Sequence, residues 1–451
     1  MGVFKAYDIR GVYNKDWNKN TAYLVGFHLP GLLNAKEVLI GRDVRLSTPE
    51  IFEELCRGIN DAGAHVADLG LSTTPMVYFF TTKRGYGASV MITASHNPQE
   101  YNGLKISRTG SLPVGYDTGL EDLERLVTAA GKDPSLVKKS SHRGQIQLVS
   151  GREDYLVFLK TYLPDITGLT LAIDGSNGMA NLWIRELFGD SPHYINETLD
   201  GTFPGHEPNP LEEKNVEPLK HLVAQTRADL GIIYDGDADR VMFVDEKGQF
   251  ISPDLITGIL AEYFLRKEKA PVLHDIRTSR GVSEYISSLG AKPHMWKVGH
   301  AYAKVKMREL GAIVGGELAG HYYFRDFFNC DSGILASLIV LQELVRAKKE
   351  GLTFSALMGR IPSYANSGEL NFKIQNKEGA MEALLNATSR KEPTTAFYEF
   401  DGYRVEYRDW WFNVRPSNTE PYLRLVVEAA TRGILEEKLV KLKEILSHFP
   451  G

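Results

Sequence analysis

The chain has 451 residues, 43% of them hydrophobic and 24% charged, the balance of a globular protein of about three or four domains. A net charge of −5 argues against nucleic-acid binding through a broad basic surface, and two widely separated cysteines, Cys56 and Cys330, argue against a disulfide framework or a cysteine metal site. No apolar run is long enough to cross a bilayer, the opening residues lack a signal core, and Ala6 stands where myristoylation wants Ser or Thr. A cytoplasmic chain with no membrane partner is expected.

Phe4-Lys-Ala-Tyr-Asp-Ile-Arg-Gly11 reads as an extended opening segment. Glu37-Val-Leu-Ile-Gly41 is a short strand, and Arg42-Asp-Val-Arg45 starts the loop after it. Ser47 and Glu50 are spaced for a capping box, Pro49 suits the first turn, and Ile51, Leu55 and Ile59 recur at helical spacing. After His65-Val-Ala-Asp-Leu-Gly70 comes the apolar run Ala88-Ser-Val-Met-Ile92, so a βαβ pattern and a mixed or mostly parallel sheet are expected. Helices are predicted over 116–130, 152–162 and 180–187, and strands over 169–173 and 229–234. A hairpin joins Val241-Met-Phe-Val244 to Phe250-Ile251. A third unit begins near Ser252 with a helix over 255–265 and the strand Pro271-Val-Leu-His274. Three strands thus end in similar polar loops, the expectation for an α/β unit used three times. Beyond Pro362-Ser-Tyr-Ala-Asn-Ser367 the composition changes. Strands over 369–373, 403–407, 410–414 and 422–428 and a helix over 434–447 predict an α+β domain.

The apolar run ending at Ile92 breaks into Thr93-Ala-Ser-His-Asn-Pro98. Pro98 removes a donor and disfavours helical angles at Asn97, so a sharp loop must present Ser95 and His96 at the end of a buried strand. Past the Asn102-Gly103 turn stands Lys105. A hydroxyl nucleophile with an acid/base beside it, at such a strand end, is a chemical site in open α/β folds. Asp235, Asp237 and Asp239 alternate after another strand. Three carboxylates on one side are costly without a cation, and all-oxygen ligands favour Mg²⁺ over Ca²⁺. An EF-hand is excluded because Arg240 occupies the position that must be glycine. Arg240 suits a phosphate oxygen held by the same metal. Arg415-Pro-Ser-Asn-Thr-Glu-Pro421 offers a guanidinium, two hydroxyls and an amide for a dianionic phosphate. Gly315-Gly-Glu-Leu-Ala-Gly-His321 surrounds Glu317 and His321 with glycines, so backbone can approach a ligand closely, and a carboxylate with an imidazole can hydrogen-bond sugar hydroxyls; His300 is a further candidate. Neither a Walker A sequence nor a dinucleotide fingerprint is present. Phosphoryl transfer to and from Ser95 fits the remaining set.

At these residues the sequence resembles the α-D-phosphohexomutase family, from Phe4–Gly11 to Arg415–Thr419. Thr93–Pro98 with Asn102–Lys105 is similar to its phosphoserine loop, and Asp235–Arg240 to its metal loop. Gly316–His321 is similar to its sugar loop and Arg415–Thr419 to its phosphate loop. The resemblance implies three α/β units and a C-terminal α+β domain around a central cleft. These are expected at 1–148 (phosphoserine loop), 149–250 (metal loop), 251–362 (sugar loop) and 363–451 (phosphate loop). It implies a phosphoryl group on Ser95, Mg²⁺ held by Ser95 and the three aspartates, and a hexose 1,6-bisphosphate as primer and intermediate. Lys105 is the expected acid/base, with His96 and Arg10 near the transferring group. Tyr7, Arg240, Arg277, His300, Glu317, His321, Arg415, Ser417, Asn418 and Thr419 are the expected contacts to a hexose phosphate. The sugar loop resembles the phosphomannomutase/phosphoglucomutase branch, with phosphoglucosamine mutase as the alternative of the same class; a non-catalytic sensor on the same fold need not keep Ser95, Lys105 and the three aspartates, all of which are present. Ala319 departs from it where many members have Ser, and Arg277 stands where some carry Lys.

Overall fold

The computed structural model describes residues 2–389, 392–417 and 422–450. Its first three sheets repeat one plan. In the first, Glu37–Arg42 is flanked in parallel by His65–Leu71 and Ala88–Ile92. Tyr101–Arg108 then pairs antiparallel with Ala88–Ile92, and Ile9–Val12 with Tyr101–Arg108. In the second, Leu171–Asp174 lies between His193–Ile195 and Leu230–Tyr234, and Val241–Asp245 and Phe250–Ile251 follow antiparallel. In the third, Val272–Asp275 lies between Pro293–Trp296 and Val314–Gly316, followed by Tyr322–Phe324 and Cys330–Asp331. The first sheet differs in that its outermost antiparallel strand comes from the N-terminus. That exchange sets Arg10 opposite Gly103, beside the loop that carries Ser95. A further edge strand, Ile146–Leu148, runs parallel to His65–Leu71.

The central parallel strands are buried on both faces, as their continuous apolar runs require; Ala88–Ile92 and Leu230–Tyr234 have no exposed residue. Helices Thr74–Lys83, Pro253–Leu265 and Gly333–Lys349 are apolar nearly all round and lie buried between units. One core therefore runs from Met76 and Phe80 through Tyr155, Trp183 and Ile232 to Ile259 and Ile339, and it fixes the three units against one another.

The last domain has a separate core. Trp410–Pro416 pairs with Leu423–Ala429 at the centre of an antiparallel sheet. Tyr403–Glu406 and Ala396–Tyr398 extend it on one side, and Ala365–Asn366 and Leu370–Phe372 on the other. Helices Lys377–Ser389 and Arg432–Ser447 pack on it around Leu384, Phe412, Val427 and Leu442. Guanidiniums tie this domain to the third unit: Arg404 donates to the carbonyls of Ile276 and Thr278, and Arg280 to those of Tyr407 and Arg408. Among the described residues no helix is long and apolar enough to cross a membrane.

Two local expectations fail. Ser47 has helical angles (φ −81°, ψ −11°) and makes no cap. Its hydroxyl accepts from Asn102 Nδ2 (2.9 Å), and Glu50 accepts from Tyr13 (2.8 Å), so tertiary partners take both halves of the capping box. The helix predicted over 180–187 is a 3₁₀ turn, Met179–Leu182, and a short helix, Ile184–Phe188, broken at the buried Trp183.

Candidate active site

The loops of the three α/β units meet at the carboxyl ends of their parallel strands, where open α/β folds bind ligands, and Arg415 of the last sheet reaches Glu369 beside Arg277. The Ser95 loop is held from within and from below. The Thr93 hydroxyl accepts from the Ser95 amide (2.8 Å), and Ser95 sits in the left-handed region at φ 52°. Beneath it the buried Arg45 guanidinium donates to four carbonyls, those of Ser95 (2.9 Å), Asn97 (2.6 Å), Pro98 (2.6 Å) and Tyr101 (3.0 Å). Asp43 pairs with Arg45 at 3.2 Å and aims it. A lysine, with no planar fork, could not make this clamp.

The aspartate loop closes directly over Ser95. A Cβ on Gly236 would lie 2.4 Å from the Ser95 carbonyl oxygen, so only glycine permits the approach. Ser95 Oγ donates to Asp235 Oδ2 (2.7 Å) and lies 3.3 Å from His96 Nδ1. Lys105 Nζ donates to Asp237 Oδ2 (2.7 Å) and Asp239 Oδ2 (2.5 Å), and Thr74 Oγ1 to Asp237 Oδ2 (2.5 Å). All three aspartates are completely buried. Burial and the two neighbouring carboxylates push the Asp235 carboxyl well up. Burial acts the same way on Asp237, but Lys105 outweighs it and holds that carboxyl low. Burial alone would lower the Lys105 ammonium; Asp237 and Asp239 reverse that and raise it, so it is charged at neutral pH. Burial, with Arg240, Arg10 and Lys105 nearby, keeps the His96 imidazole neutral.

The three carboxylates bring one oxygen each within 4.8 Å of one another. Asp237 Oδ1 and Asp239 Oδ1 are buried with no hydrogen-bond partner among the described residues. Buried carboxylate oxygens without a donor, in a triad this close, fit a hard cation, so the triad can hold a metal ion. The Arg240 amide donates to Asp235 Oδ1 (3.2 Å), and its Nε stands 3.9 Å from Asp235 and Asp239. Arg10 donates to Asn97 Oδ1 (2.8 Å) and pairs with Asp8.

The third unit supplies the opposite wall. Glu317 is buried; it accepts from the Gly299 amide and the Tyr323 hydroxyl, both at 2.5 Å. Each oxygen keeps a lone pair for a further donor. Tyr7 crosses from the first sheet, donates to the Val298 carbonyl (3.0 Å) and packs on His300 and Tyr302. Gly299, at φ 130°, is where its ring lies; a Cβ there would be 2.5 Å from the phenol. His321 Nδ1 is 2.7 Å from Asp331 Oδ2, and its ring is 5.7 Å from that of His300. Lys304 Nζ lies 2.8 Å from Asp331 Oδ1. Arg277 is held by Asp275 (2.6 Å), which also accepts from the Leu318 amide (2.8 Å), so one carboxylate orients both a guanidinium and the Glu317 loop. Arg277 also reaches Glu369 (3.0 Å), as does Arg415 (3.5 Å). The Ser417 amide donates to the Tyr422 carbonyl (2.9 Å), closing the ladder at the base of the last loop. Asn418 and Thr419 lie outside the described residues.

Thus Ser95, His96, Lys105, Arg10 and the aspartates form one cluster, Tyr7, His300, Glu317 and His321 a second, and Arg277 and Arg415 a third. Sequence reasoning overlooked Arg45, Thr74, Lys304, Asp331 and Glu369. Arg45, Thr74, Lys304 and Glu369 act across long sequence separations, so local pattern could not reveal them; Arg45 carried a hint as the second basic residue of a strand-end loop, and Asp331 one through its place in Cys330-Asp-Ser-Gly333, a stretch similar to the family.

His274 supplies a pH signature. It is buried between the Asp275 carbonyl and the Ser283 hydroxyl, both 3.0 Å away, and burial pushes its imidazole down to about 4 from the ordinary 6.5. Between these values the unfolded chain binds the extra proton, so stability falls with falling pH, by about 3 kcal/mol at about 1.4 kcal/mol per unit. Denaturant titrations from pH 7 to pH 4 should show that loss, and a His274→Gln chain should lack this part of it.

Four family models match in chain order: phosphoglucomutase/phosphomannomutase α/β/α domain I over residues 1–132, domain II over 153–248, domain III over 252–364 and the C-terminal domain over 369–444. The chain is 38% identical to a phosphomannomutase of Salmonella montevideo, covering 99% of this chain and 98% of that one. It is also 38% identical to a phosphomannomutase of Escherichia coli K12, covering 95% of each. The crystal structure of a phosphoglucomutase/phosphomannomutase family protein from Burkholderia thailandensis superimposes with a TM-score of 0.88 at 29% identity, covering 99% of this chain and 97% of that one. With four domain models in order and near-complete coverage by these relatives, the chain belongs to the phosphoglucomutase/phosphomannomutase family of isomerases, the α-D-phosphohexomutases.

Proposed function

We propose that this chain is a phosphomannomutase that also accepts glucose phosphates, and that Ser95 is its phosphoryl carrier. The observation that carries the reading is the 2.7 Å contact of Ser95 Oγ with the aspartate triad, made possible by Gly236. The free hydroxyl of a hexose monophosphate attacks the phosphorus on Ser95 while the bond from phosphorus to Oγ breaks. Lys105 gives its proton to the departing Oγ and is reprotonated by the proton that the sugar hydroxyl releases. The product is a hexose 1,6-bisphosphate, which also serves as primer. After it turns over, Ser95 Oγ attacks the other phosphate and the same proton path runs backwards. Arg10 and Arg240 neutralise the transferring group, and His96, being neutral, adds no charge beside it.

Asp235, Asp237 and Asp239, with the phosphoryl group on Ser95, are the residues that would hold Mg²⁺. When bound, Mg²⁺ supplies positive charge to the oxygens of the transferring phosphoryl group. Glu317 and His321 contact sugar hydroxyls, with Tyr7 and His300 completing that wall. Arg277, Arg415, Ser417, Asn418 and Thr419 hold the phosphate that is not reacting. A single cradle serves both orientations, because the two phosphates must be accepted interchangeably. A cytoplasmic location fits the two free, buried cysteines.

Turnover of mannose, glucose and glucosamine 1-phosphates, measured side by side with Mg²⁺ and a bisphosphate primer, tests the reading. The highest kcat/KM is expected on mannose 1-phosphate, with glucose 1-phosphate second. A preference for glucosamine 1-phosphate would make the chain a phosphoglucosamine mutase, and no turnover of any would leave a sugar-phosphate sensor.

A further inference from the structure

The segment Lys297-Val-Gly299 joins the strand Pro293–Trp296 to the helix His300–Leu310 and belongs to neither. Side chains from three units of the chain hold it. The Val298 amide donates to Asp401 Oδ2 of the last domain (2.8 Å), and the Val298 carbonyl accepts from the Tyr7 hydroxyl of the first unit (3.0 Å). The Gly299 amide donates to Glu317 Oε1 of the third unit (2.5 Å). The Val298 carbonyl and the Gly299 amide are the two ends of one planar peptide group, so a turn of that group moves both contacts together. Asp401 lies at the tip of the hairpin between Ala396–Tyr398 and Tyr403–Glu406. The tip is folded back on the central strand Trp410–Pro416. Gly402 turns the chain at φ 63°, where a Cβ would lie 2.2 Å from the Val414 carbonyl oxygen. Asn413 Nδ2 donates to the Tyr403 carbonyl (3.2 Å) and reaches that of Asp401 (3.5 Å). Beside Asp401, the Phe400 ring stacks on Trp296 at 5.5 Å. The strand that carries Arg415 is thus joined through one hairpin tip to the peptide that holds Glu317.

We propose that Asp401 is a positioning residue for the sugar: by holding the Val298 amide it sets the Val298–Gly299 peptide that aims the Glu317 carboxylate, so the last domain completes the wall that contacts the sugar hydroxyls. This rests on the reading of Glu317 as a sugar contact. Glu317 is held at one oxygen by the Gly299 amide and at the other by the Tyr323 hydroxyl. With the Gly299 amide displaced, the carboxylate can pivot about Tyr323, and its remaining lone pairs leave the line of a sugar hydroxyl. A contact that must find its aim on binding is weaker than one set in advance. The reaction gives the link its purpose. Both orientations of the substrate must span the same distance from the phosphate cradle to the sugar wall. A tip joined to the Arg415 strand and bonded to the Val298 amide fixes that span.

The test is steady-state kinetics on mannose 1-phosphate beside calorimetric binding of inorganic phosphate. Asp401→Ala removes the acceptor and is expected to raise KM about tenfold, the scale of a lost hydrogen bond to a charged group. Inorganic phosphate, which has no sugar, should bind as before. Asp401→Asn keeps an acceptor oxygen at the same reach and should bring KM back to within about threefold of the unaltered chain. In a Glu317→Gln background, adding Asp401→Ala should cost less than about twofold, because a residue that acts through Glu317 has nothing left to aim. Should Asp401→Ala not fold, Asp401→Ser, too short to reach the amide, carries the same expectations. An unchanged KM in Asp401→Ala, or the same rise in both backgrounds, would overturn the proposal. So would a KM in Asp401→Asn as high as in Asp401→Ala, or phosphate binding weakened as much as KM is raised, since the loss would then lie in charge or in the cradle. Glu317→Gln alone tests the layer beneath. If its KM on mannose, glucose and glucosamine 1-phosphates equals that of the unaltered chain, the sugar-wall reading fails and the proposal with it.

Discussion

A Ser95→Ala chain should lose mutase turnover by about 10⁴-fold or more, the scale on which removal of a covalent nucleophile acts, while still binding hexose phosphates. The fold should survive. Ser95 sits at φ 52°, but serine and alanine share the same Cβ, so the substitution adds no backbone strain. The loop stays clamped by Arg45, which holds carbonyls and not the Ser95 side chain. What is lost is the hydrogen bond to the buried Asp235 Oδ2, at a cost of about 1–3 kcal/mol. The measurements are exchange of phosphate between a bisphosphate and the enzyme, intact mass of the resting protein, and calorimetric binding of mannose 1-phosphate. One phosphate on the unaltered chain and none on the variant is the expected pattern. Turnover within about tenfold of the unaltered chain, or a phosphate that persists on the variant, would remove Ser95 as the carrier.

Much of this site was legible because it lies where buried strands stop. Ala88–Ile92 and Leu230–Tyr234 are continuous apolar runs, and a run that must be buried on both faces ends sharply at the first polar residue. Ser95 and Asp235 are therefore visible by position as well as by type. The thrice-repeated sheet was legible for the same reason, but the swap that brings Ile9–Val12 to the first sheet was not, since strand order is a property of pairing. The second half of the site is less visible. Glu369 looks like an ordinary exposed residue of an alternating strand pattern, and its meaning comes from Arg277, which lies 92 residues away. Helix Lys377–Ser389 and strand Ala396–Tyr398 escaped notice because they bury few residues and so carry little apolar pattern.

The aspartate triad shows how a sound physical argument can be incomplete. Three adjoining carboxylates do demand a cation, and the sequence reading turned to a metal; in the structure an ammonium, Lys105, already answers two of them. Lys105 is thus a charge partner as well as the proposed proton carrier, and Lys105→Met separates the two roles. The methionine fills the stem's space but leaves three buried carboxylates facing one another, and breaking a buried pair from one side costs about 3–5 kcal/mol. In chelator the variant should therefore unfold at markedly lower denaturant than the unaltered chain. Mg²⁺ should stabilise the variant more than the unaltered chain, because the triad it meets is more negative and stabilisation grows with affinity for the folded state. Turnover should stay about 10²- to 10⁴-fold down even where Mg²⁺ has restored stability, the range over which a positioned acid acts. Equal stabilisation of both proteins by Mg²⁺ would mean that the triad is not the metal's seat. Recovery of turnover together with stability would reduce Lys105 to a counter-charge and move the proton to a neighbour that is not a cation, such as His96, 3.3 Å from Ser95 Oγ.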